Sequence, residues 1–164
     1  PPQSPTPKFD AMLGLLCDAK HPALAEFPTA ANCDWQWTPL VDNVRSVNLT
    51  AASRDLKPIV AAIDDWNRNW RLGVIFECQV GPGRLLVSAI NLEKTNENAG
   101  AQQLRRSLLD YMASPKFQPA VALSSEQVRQ LWSAPAAPAP AAAPRAFDPD
   151  LNDGTVPAPA AKKP

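Results

Sequence analysis

The sequence has no excess of charge of either sign, because 16 lysine and arginine residues balance 16 aspartate and glutamate residues. Domains that bind nucleic acid usually carry a basic patch, so this balance argues against nucleic acid as the main partner. No apolar run approaches the roughly 20 residues that a membrane-spanning helix needs, so no membrane partner is expected. The N-terminus also lacks the charged and apolar regions of a signal peptide.

Cysteine and histidine are scarce, which limits metal and nucleophilic chemistry. Cys17, Cys33 and Cys78 have no CxxC spacing and are predicted to be small buried residues, with a Cys17–Cys33 disulfide left open. Because His21 is the single histidine, neither a metal site nor a cofactor is predicted. The motif GxSxG and a phosphate-binding loop are absent. Cys17 with His21 as its base remains a catalytic alternative, although no tight glycine turn follows Cys17.

Proline is concentrated at the two ends of the chain. Four of the first eight residues are proline, and from Ser133 onward the sequence is dominated by alanine and proline. Such segments bury too little apolar surface to offset the entropy lost on ordering. We predict a proline-rich lead at 1–8, an ordered domain at 9–132 and a disordered tail at 133–164. The ordered part is long enough for a modest core.

Short apolar runs suggest a sheet in the first two thirds of this domain. MLGLLCD, RSVNLT and PIVAAIDDW are strand candidates, and HPALAEFPT predicts a short helix that begins at Pro22. CDWQWTPLVD fits either a strand or a helix. RLGVIFECQV and GRLLVSAINL are separated by Gly81-Pro82-Gly83, which predicts an antiparallel hairpin with a tight turn.

Two amphipathic helices are predicted after the hairpin. The first begins after Asn98 as N-cap and ends before Pro115, and its apolar stripe consists of Leu104, Leu108, Leu109 and Met112. The second begins near Ser124 or Ser125, and its apolar side consists of Val128, Leu131 and Trp132. Strands that alternate with helices predict a layered α/β domain with a mostly parallel sheet and an antiparallel hairpin.

Tryptophans next to acids and amides form the candidate binding surface. Tryptophan rings stack on the apolar faces of sugars, and acids and amides bind sugar hydroxyl groups. The candidate carbohydrate-binding residues are Asp34, Trp35, Trp37, Asp64, Asp65, Trp66, Arg68 and Trp70. The alternative is that the rings belong to the core and the polar groups cap helices and close loops.

No pair of carboxylates suited to acid–base catalysis is evident. Asp64 and Asp65 would point to opposite faces of a strand, so they are a poor catalytic pair. Glu77 is expected to face solvent or to pair with Arg84 across the hairpin. No catalytic residue is therefore predicted.

The phrases HPALAEFPT, DWQW, PIVAAIDDWNRNWRLG and VGPGRLLVSAI resemble the C-terminal accessory region of bacterial glycoside hydrolase family 2 proteins, which are β-galactosidase-like. The resemblance covers about Met12 to Trp132. It implies a flavodoxin-like or class I glutamine-amidotransferase-like α/β domain that lacks its N-terminal strands, so that the chain would be a fragment. It also implies a periplasmic or secreted location if the chain is part of such a glycosidase.

The function expected from this resemblance is a non-catalytic accessory segment that docks on the catalytic domains of a family 2 glycosidase, in cis or as a separate chain, or that builds a homo-oligomer. The catalytic barrel motifs of the family are absent, so the chain alone is not expected to hydrolyse glycosides. A carbohydrate-binding module that uses the clustered tryptophans is the alternative. An enzyme that uses Cys17 is a third.

Overall fold

Six strands form one mixed sheet in the computed structural model, which describes residues 12–41, 44–66, 68–93 and 98–133. The strands are β1 Gly14–Cys17, β2 Val47–Asn48, β3 Val60–Ile63, β4 Leu72–Val80, β5 Gly83–Ser88 and β6 Ala122–Leu123. The α-helices are α1 Thr38–Val41, α2 Ala99–Ala113 and α3 Ser125–Ser133, and 3₁₀ turns occur at Pro22–Leu24 and Trp35–Trp37. The predicted lead at 1–8 lies outside the described residues, as does the predicted tail at 133–164 except for Ser133, which ends α3.

The α/β class and the β4–β5 hairpin are confirmed, but the prediction of a mostly parallel sheet is wrong. β1 with β3, β2 with β4, β3 with β4, and β4 with β5 all pair antiparallel, and only β6 lies parallel to β4. A parallel pair needs a crossover of a dozen or more residues, usually a helix. The loops after β3 and β4 are too short for one. α2 lies between β5 and β6, and this longer connection permits the parallel pairing of β6.

β4 is the central strand, and a bulge changes which of its residues face each side. Val60 pairs with Ile75 while the next residue, Ala61, pairs with Gly73, so Val74 is the extra residue. A bulge shifts the alternation of side chains between the two faces by one residue. Val74 and Ile75 therefore both belong to the same core cluster. Beyond the bulge, the odd-numbered residues of β4 face that cluster.

Two apolar clusters cover the two faces of the sheet. The larger one packs β1, β3 and β4 against α2 and residues 22–44, with Leu15, Trp37 and Leu104 among its fully buried side chains. The smaller one, which includes Phe76 and Cys78, packs the opposite face of β4 against residues 47–56, β6 and α3. Gly73 faces this second cluster, where a Cβ atom would come within 2.8 Å of the Leu49 side chain.

The ends of the two long helices agree with the sequence-based predictions. The Asn98 side chain accepts a hydrogen bond from the Ala101 N–H, and α2 ends before Pro115. At α3, Ser124 Oγ accepts from the Gln127 N–H, while the Gln127 side chain accepts from the Ser124 N–H, a reciprocal capping box. α2 is fixed to the 22–27 segment by Ser107, whose hydroxyl donates to the Ala23 carbonyl and accepts from the Glu26 N–H.

Candidate functional site

The DWQW segment forms a 3₁₀ turn that separates its two tryptophans. Trp37 is fully buried against Phe27, and its Nε1 donates a 2.8 Å hydrogen bond to Thr29 Oγ1. Trp35 is 86% exposed. The carboxylate of Asp34 accepts a long hydrogen bond from the Ala30 N–H through Oδ2, while its Oδ1 is buried without a hydrogen-bond partner. The Trp37 ring therefore cannot contact a ligand or partner, whereas the Trp35 ring can.

The loop after β3 is built around Asp64 and Arg68. Asp64 has a side chain only 1% exposed, and it accepts hydrogen bonds from the Arg68 guanidinium at 2.8 Å and from the Trp70 N–H at 2.9 Å. Asp65 also binds Arg68, at 2.6 Å, and Arg68 lies over the ring of Trp70. These contacts hold the loop in one conformation.

The pKa of Asp64 is lowered by these contacts. Burial by itself would raise the pKa of the carboxyl group, because a low dielectric disfavours the charged form. The hydrogen bond from Arg68, the backbone N–H groups of Asp65 and Trp70, and the positive charge of Arg68 outweigh this effect. Asp64 is therefore ionised at neutral pH, and its oxygens are already engaged within the loop.

The loop presents Trp66 to solvent. Trp66 is 83% exposed, whereas Trp70 is partly buried against the larger core cluster. Asn69 has φ 50°, a left-handed conformation that asparagine adopts more readily than most residues.

The eight predicted carbohydrate-binding residues lie on two different segments. Residues 34–37 follow a bridge between Asn32 and Leu16 at the outer edge of β1, and residues 64–70 follow β3. Only Trp35 and Trp66 among the four tryptophans are fully exposed. The acids expected to bind sugar hydroxyls mainly bind protein groups instead, since Asp64 and Asp65 both contact Arg68.

Four exposed apolar side chains occur where β1 begins and β3 ends, and we call them the corner surface: Leu13, Leu16, Ile63 and Trp66. Leu13 and Leu16 are 51% and 54% exposed, and Ile63 is 36% exposed. The Leu13 N–H donates to the Ile63 carbonyl, and Leu16 and Ile63 share one face of the β1–β3 pair. The second core cluster covers this face of the sheet only at β2, β4, β5 and β6.

A polar cluster that the sequence did not predict lies on the opposite face of the sheet. The Tyr111 hydroxyl donates a 2.8 Å hydrogen bond to Glu77 Oε2, and His21 Nε2 lies 3.9 Å from Glu77 Oε1. Glu77 therefore does not form the expected pair with Arg84, whose guanidinium donates to the Phe117 carbonyl and lies over the Phe117 ring. The bulge in β4 places Glu77 on the face of the sheet that α2 covers, where Tyr111 binds it.

Cys17 lies in a setting that disfavours nucleophilic chemistry. Burial raises the pKa of the Cys17 thiol to about 11, although a hydrogen bond with Thr29 acts in the opposite direction. The thiolate is the reactive form, so Cys17 stays protonated at neutral pH. His21 contacts Glu77 and Tyr111, which gives it other partners than a nucleophile. The cysteines are free in the structure, as predicted for small apolar residues, and Cys17 and Cys78 are buried.

The fold and its surface define a small mixed α/β domain with an exposed apolar corner. Residues 3–133 match a domain of unknown function, DUF8487, and the chain belongs to that family. No curated protein matches the chain. Among the described residues, no helix combines the length and apolar character needed to cross a bilayer. The same residues contain no group of three or more histidine, cysteine or acidic side chains placed to hold a metal ion.

Proposed function

We propose that this domain is a non-catalytic docking module, and that its partner is the catalytic part of a family 2 glycoside hydrolase. The observation that carries the proposal is the corner surface, in which four large apolar side chains are exposed on β1 and β3 or in the residues that directly flank these strands. Exposed large apolar side chains that are grouped in this way are typical of surfaces that bind another protein. The choice of partner rests on the resemblance of the sequence to the accessory region of these enzymes.

As part of the same proposal, the domain is periplasmic or secreted. The alternative partner is a second copy of the chain, which would form a homo-oligomer.

The arrangement of the acids favours a non-catalytic role. Glycoside hydrolysis needs one carboxyl group that donates a proton and one that acts as base or nucleophile, with space for the sugar between them. Asp64 and Asp65 instead both bind Arg68, and Glu77 accepts a hydrogen bond from Tyr111. The proposal does not depend on a flavodoxin-like or amidotransferase-like architecture, which the antiparallel pairings of β1, β3 and β4 do not favour.

Replacing Leu16 with asparagine tests the docking surface. The change should weaken binding to the separately purified catalytic region of a family 2 glycosidase from the same genome by about ten-fold or more, because burial of a leucine contributes roughly 1.5–3 kcal/mol. Biolayer interferometry with the immobilised catalytic region measures the effect. The side chain is already exposed, so the fold of the free domain should not change.

Leu109→Asn provides a matched control, because Leu109 is 52% exposed on α2 and Leu16 is 54% exposed on β1. The control variant should bind like the native chain. Equal weakening by both changes, or no binding by the native chain, contradicts the proposal. If the native chain and Leu109→Asn self-associate but Leu16→Asn does not, a second copy of the chain occupies the corner surface instead of a catalytic domain.

Carbohydrate binding is the second candidate, and the exposure of Trp66 and Trp35 favours it. Both rings are largely exposed, as stacking on a sugar requires. If Trp66 binds sugar, millimolar galactose- or xylose-based oligosaccharides should shift the tryptophan fluorescence of the native chain. Trp66→Ala should remove this shift, whereas Trp35→Ala should retain it. An unchanged native spectrum at these concentrations would argue against carbohydrate binding.

A further inference from the structure

His21 is bonded in a way that depends on its protonation state. Its Nδ1 accepts a 3.2 Å hydrogen bond from the Ala23 N–H and thereby caps the 3₁₀ turn at Pro22–Leu24. A nitrogen that accepts a hydrogen bond carries no proton, so the neutral ring has its proton on Nε2. Adding a second proton places it on Nδ1. The protonated ring is a donor at both nitrogens, and it cannot cap Ala23.

Glu77 offers the protonated ring a different partner. His21 Nε2 is 3.9 Å from Glu77 Oε1, which is within ion-pair range but too long for a hydrogen bond. The His21 and Glu77 side chains are only 20% and 13% exposed, so water screens their attraction less than at an open surface. A small movement of the ring would bring Nε2 into hydrogen-bond distance of Oε1.

Tyr111 keeps Glu77 available for this exchange. Its hydroxyl donates to Oε2 and leaves Oε1 facing the histidine, and its ring packs edge-on against the His21 ring with centroids 5.4 Å apart. Burial, together with the neighbouring Glu77 carboxylate, raises the pKa of Tyr111 well above its usual value. Tyr111 therefore remains a hydrogen-bond donor through the whole range in which a histidine titrates.

We propose that His21 is a pH-operated switch that caps the Pro22–Leu24 turn when neutral and binds Glu77 when protonated. The groups that face the ring in the described structure are Glu77 from β4 and Tyr111 from α2. The backbone N–H of His21, and not its ring, donates to the Asp18 carbonyl. Ala23 is fully buried, so its N–H has no ready replacement for the lost acceptor. Acidification thus loosens the turn and attaches His21 to the sheet.

The turn is placed so that this change affects the packing of α2. The Ala23 carbonyl accepts a hydrogen bond from Ser107 of α2, and the next residue, Leu24, belongs to the larger core cluster. The His21 side chain both caps the turn and lies beside Glu77 of β4. Protonation of its ring therefore changes contacts at the place where the turn, α2 and the sheet meet. The switch is independent of the corner surface, which lies on the other face of β1 and β3.

Nuclear magnetic resonance of the ¹⁵N-labelled chain tests the switch. His21 is the single histidine, so its ring signals can be followed without overlap from another imidazole. From pH 7.5 to 5.5, the Ala23 amide signal should shift in step with the ring. Its protection from hydrogen exchange, relative to the intrinsic rate at each pH, should fall about five-fold, as expected for one lost hydrogen bond. A ring that titrates while the Ala23 amide signal and its protection stay constant would overturn the proposal.

Three substitutions separate the switch from general effects of charge. Glu77→Gln should move proton uptake by the ring, and the Ala23 response with it, to lower pH. Asp110→Asn also removes one negative charge, but from an exposed position on α2, and it should leave the titration unchanged. His21→Asn keeps a side chain that can cap the turn without titrating, so Ala23 protection should become independent of pH. Equal behaviour of Glu77→Gln and Asp110→Asn would exclude Glu77 as the partner.

Discussion

Trp37→Ala should lower the free energy of unfolding by about 3–5 kcal/mol, the range for truncating a large buried aromatic residue. Trp37 is fully buried, packs edge-on against Phe27 with ring centroids 5.1 Å apart, and donates its Nε1 proton to Thr29. Its removal leaves a cavity beside α1 and deprives the Thr29 hydroxyl of its donor. Domains of this size are stable by only about 5–15 kcal/mol, so the variant should be largely or partly unfolded at 37 °C.

Trp35→Ala is the matched control, because it removes the same side chain two residues earlier from a position that is 86% exposed. Its free energy of unfolding should stay within about 0.5 kcal/mol of the native value, as for most surface substitutions. Urea denaturation followed by circular dichroism measures both variants. If Trp35→Ala destabilised the chain as much as Trp37→Ala, the division of the pair into one buried and one exposed ring would be wrong.

The local parts of the fold are predictable because their signals lie close together in the sequence. The β4–β5 hairpin follows from two apolar runs around Gly81, and α2 follows from a capping Asn98, an apolar stripe and Pro115. Each of these signals spans at most 22 residues. The pairing of β1 with β3 joins segments more than 40 residues apart, and nothing in either strand alone specifies its direction. This is why the sheet direction was predicted wrongly.

The candidate site shows the same division between local and long-range signals. The exposure of Trp66 agrees with its place among polar residues in the loop after β3. His21, Glu77 and Tyr111 belong to the 3₁₀ turn, β4 and α2, which are far apart in the sequence, and the bulge in β4 brings Glu77 to the same face as the other two. The alternation of residues in β4 does not reveal this bulge. A bulge of this kind reverses the expected facing of every later residue in its strand. The face of the sheet on which Glu77 lies could therefore not be predicted from the sequence.

Asp64→Ala should destabilise the chain by about 3 kcal/mol, near the lower end of the range for breaking a buried ion pair. The Asp64 side chain is 1% exposed, so its attraction to Arg68 is little screened, and its loss also leaves the Trp70 N–H without its acceptor. Arg68 keeps Asp65 as a second partner and is itself 20% exposed, which limits the cost. Urea denaturation at pH 7 measures the change.

Asp65→Ala is the control, because Asp65 contacts the same arginine from a position that is 27% exposed, and it should cost only about 1 kcal/mol.

The stabilising contribution of Asp64 should also depend on pH. The pKa of Asp64 is lowered in the folded chain, so its stabilising contribution is complete above the usual value of 3.8 and is lost as the pH falls below it. The difference in stability between the native chain and Asp64→Ala should therefore be constant from pH 5 to 7 and should shrink as the pH falls toward about 2. A difference that stayed constant over the whole range would mean that Asp64 stabilises the loop by its shape and packing instead of by its charge. In that case, the rigid presentation of Trp66 at the corner surface would not depend on the ion pair.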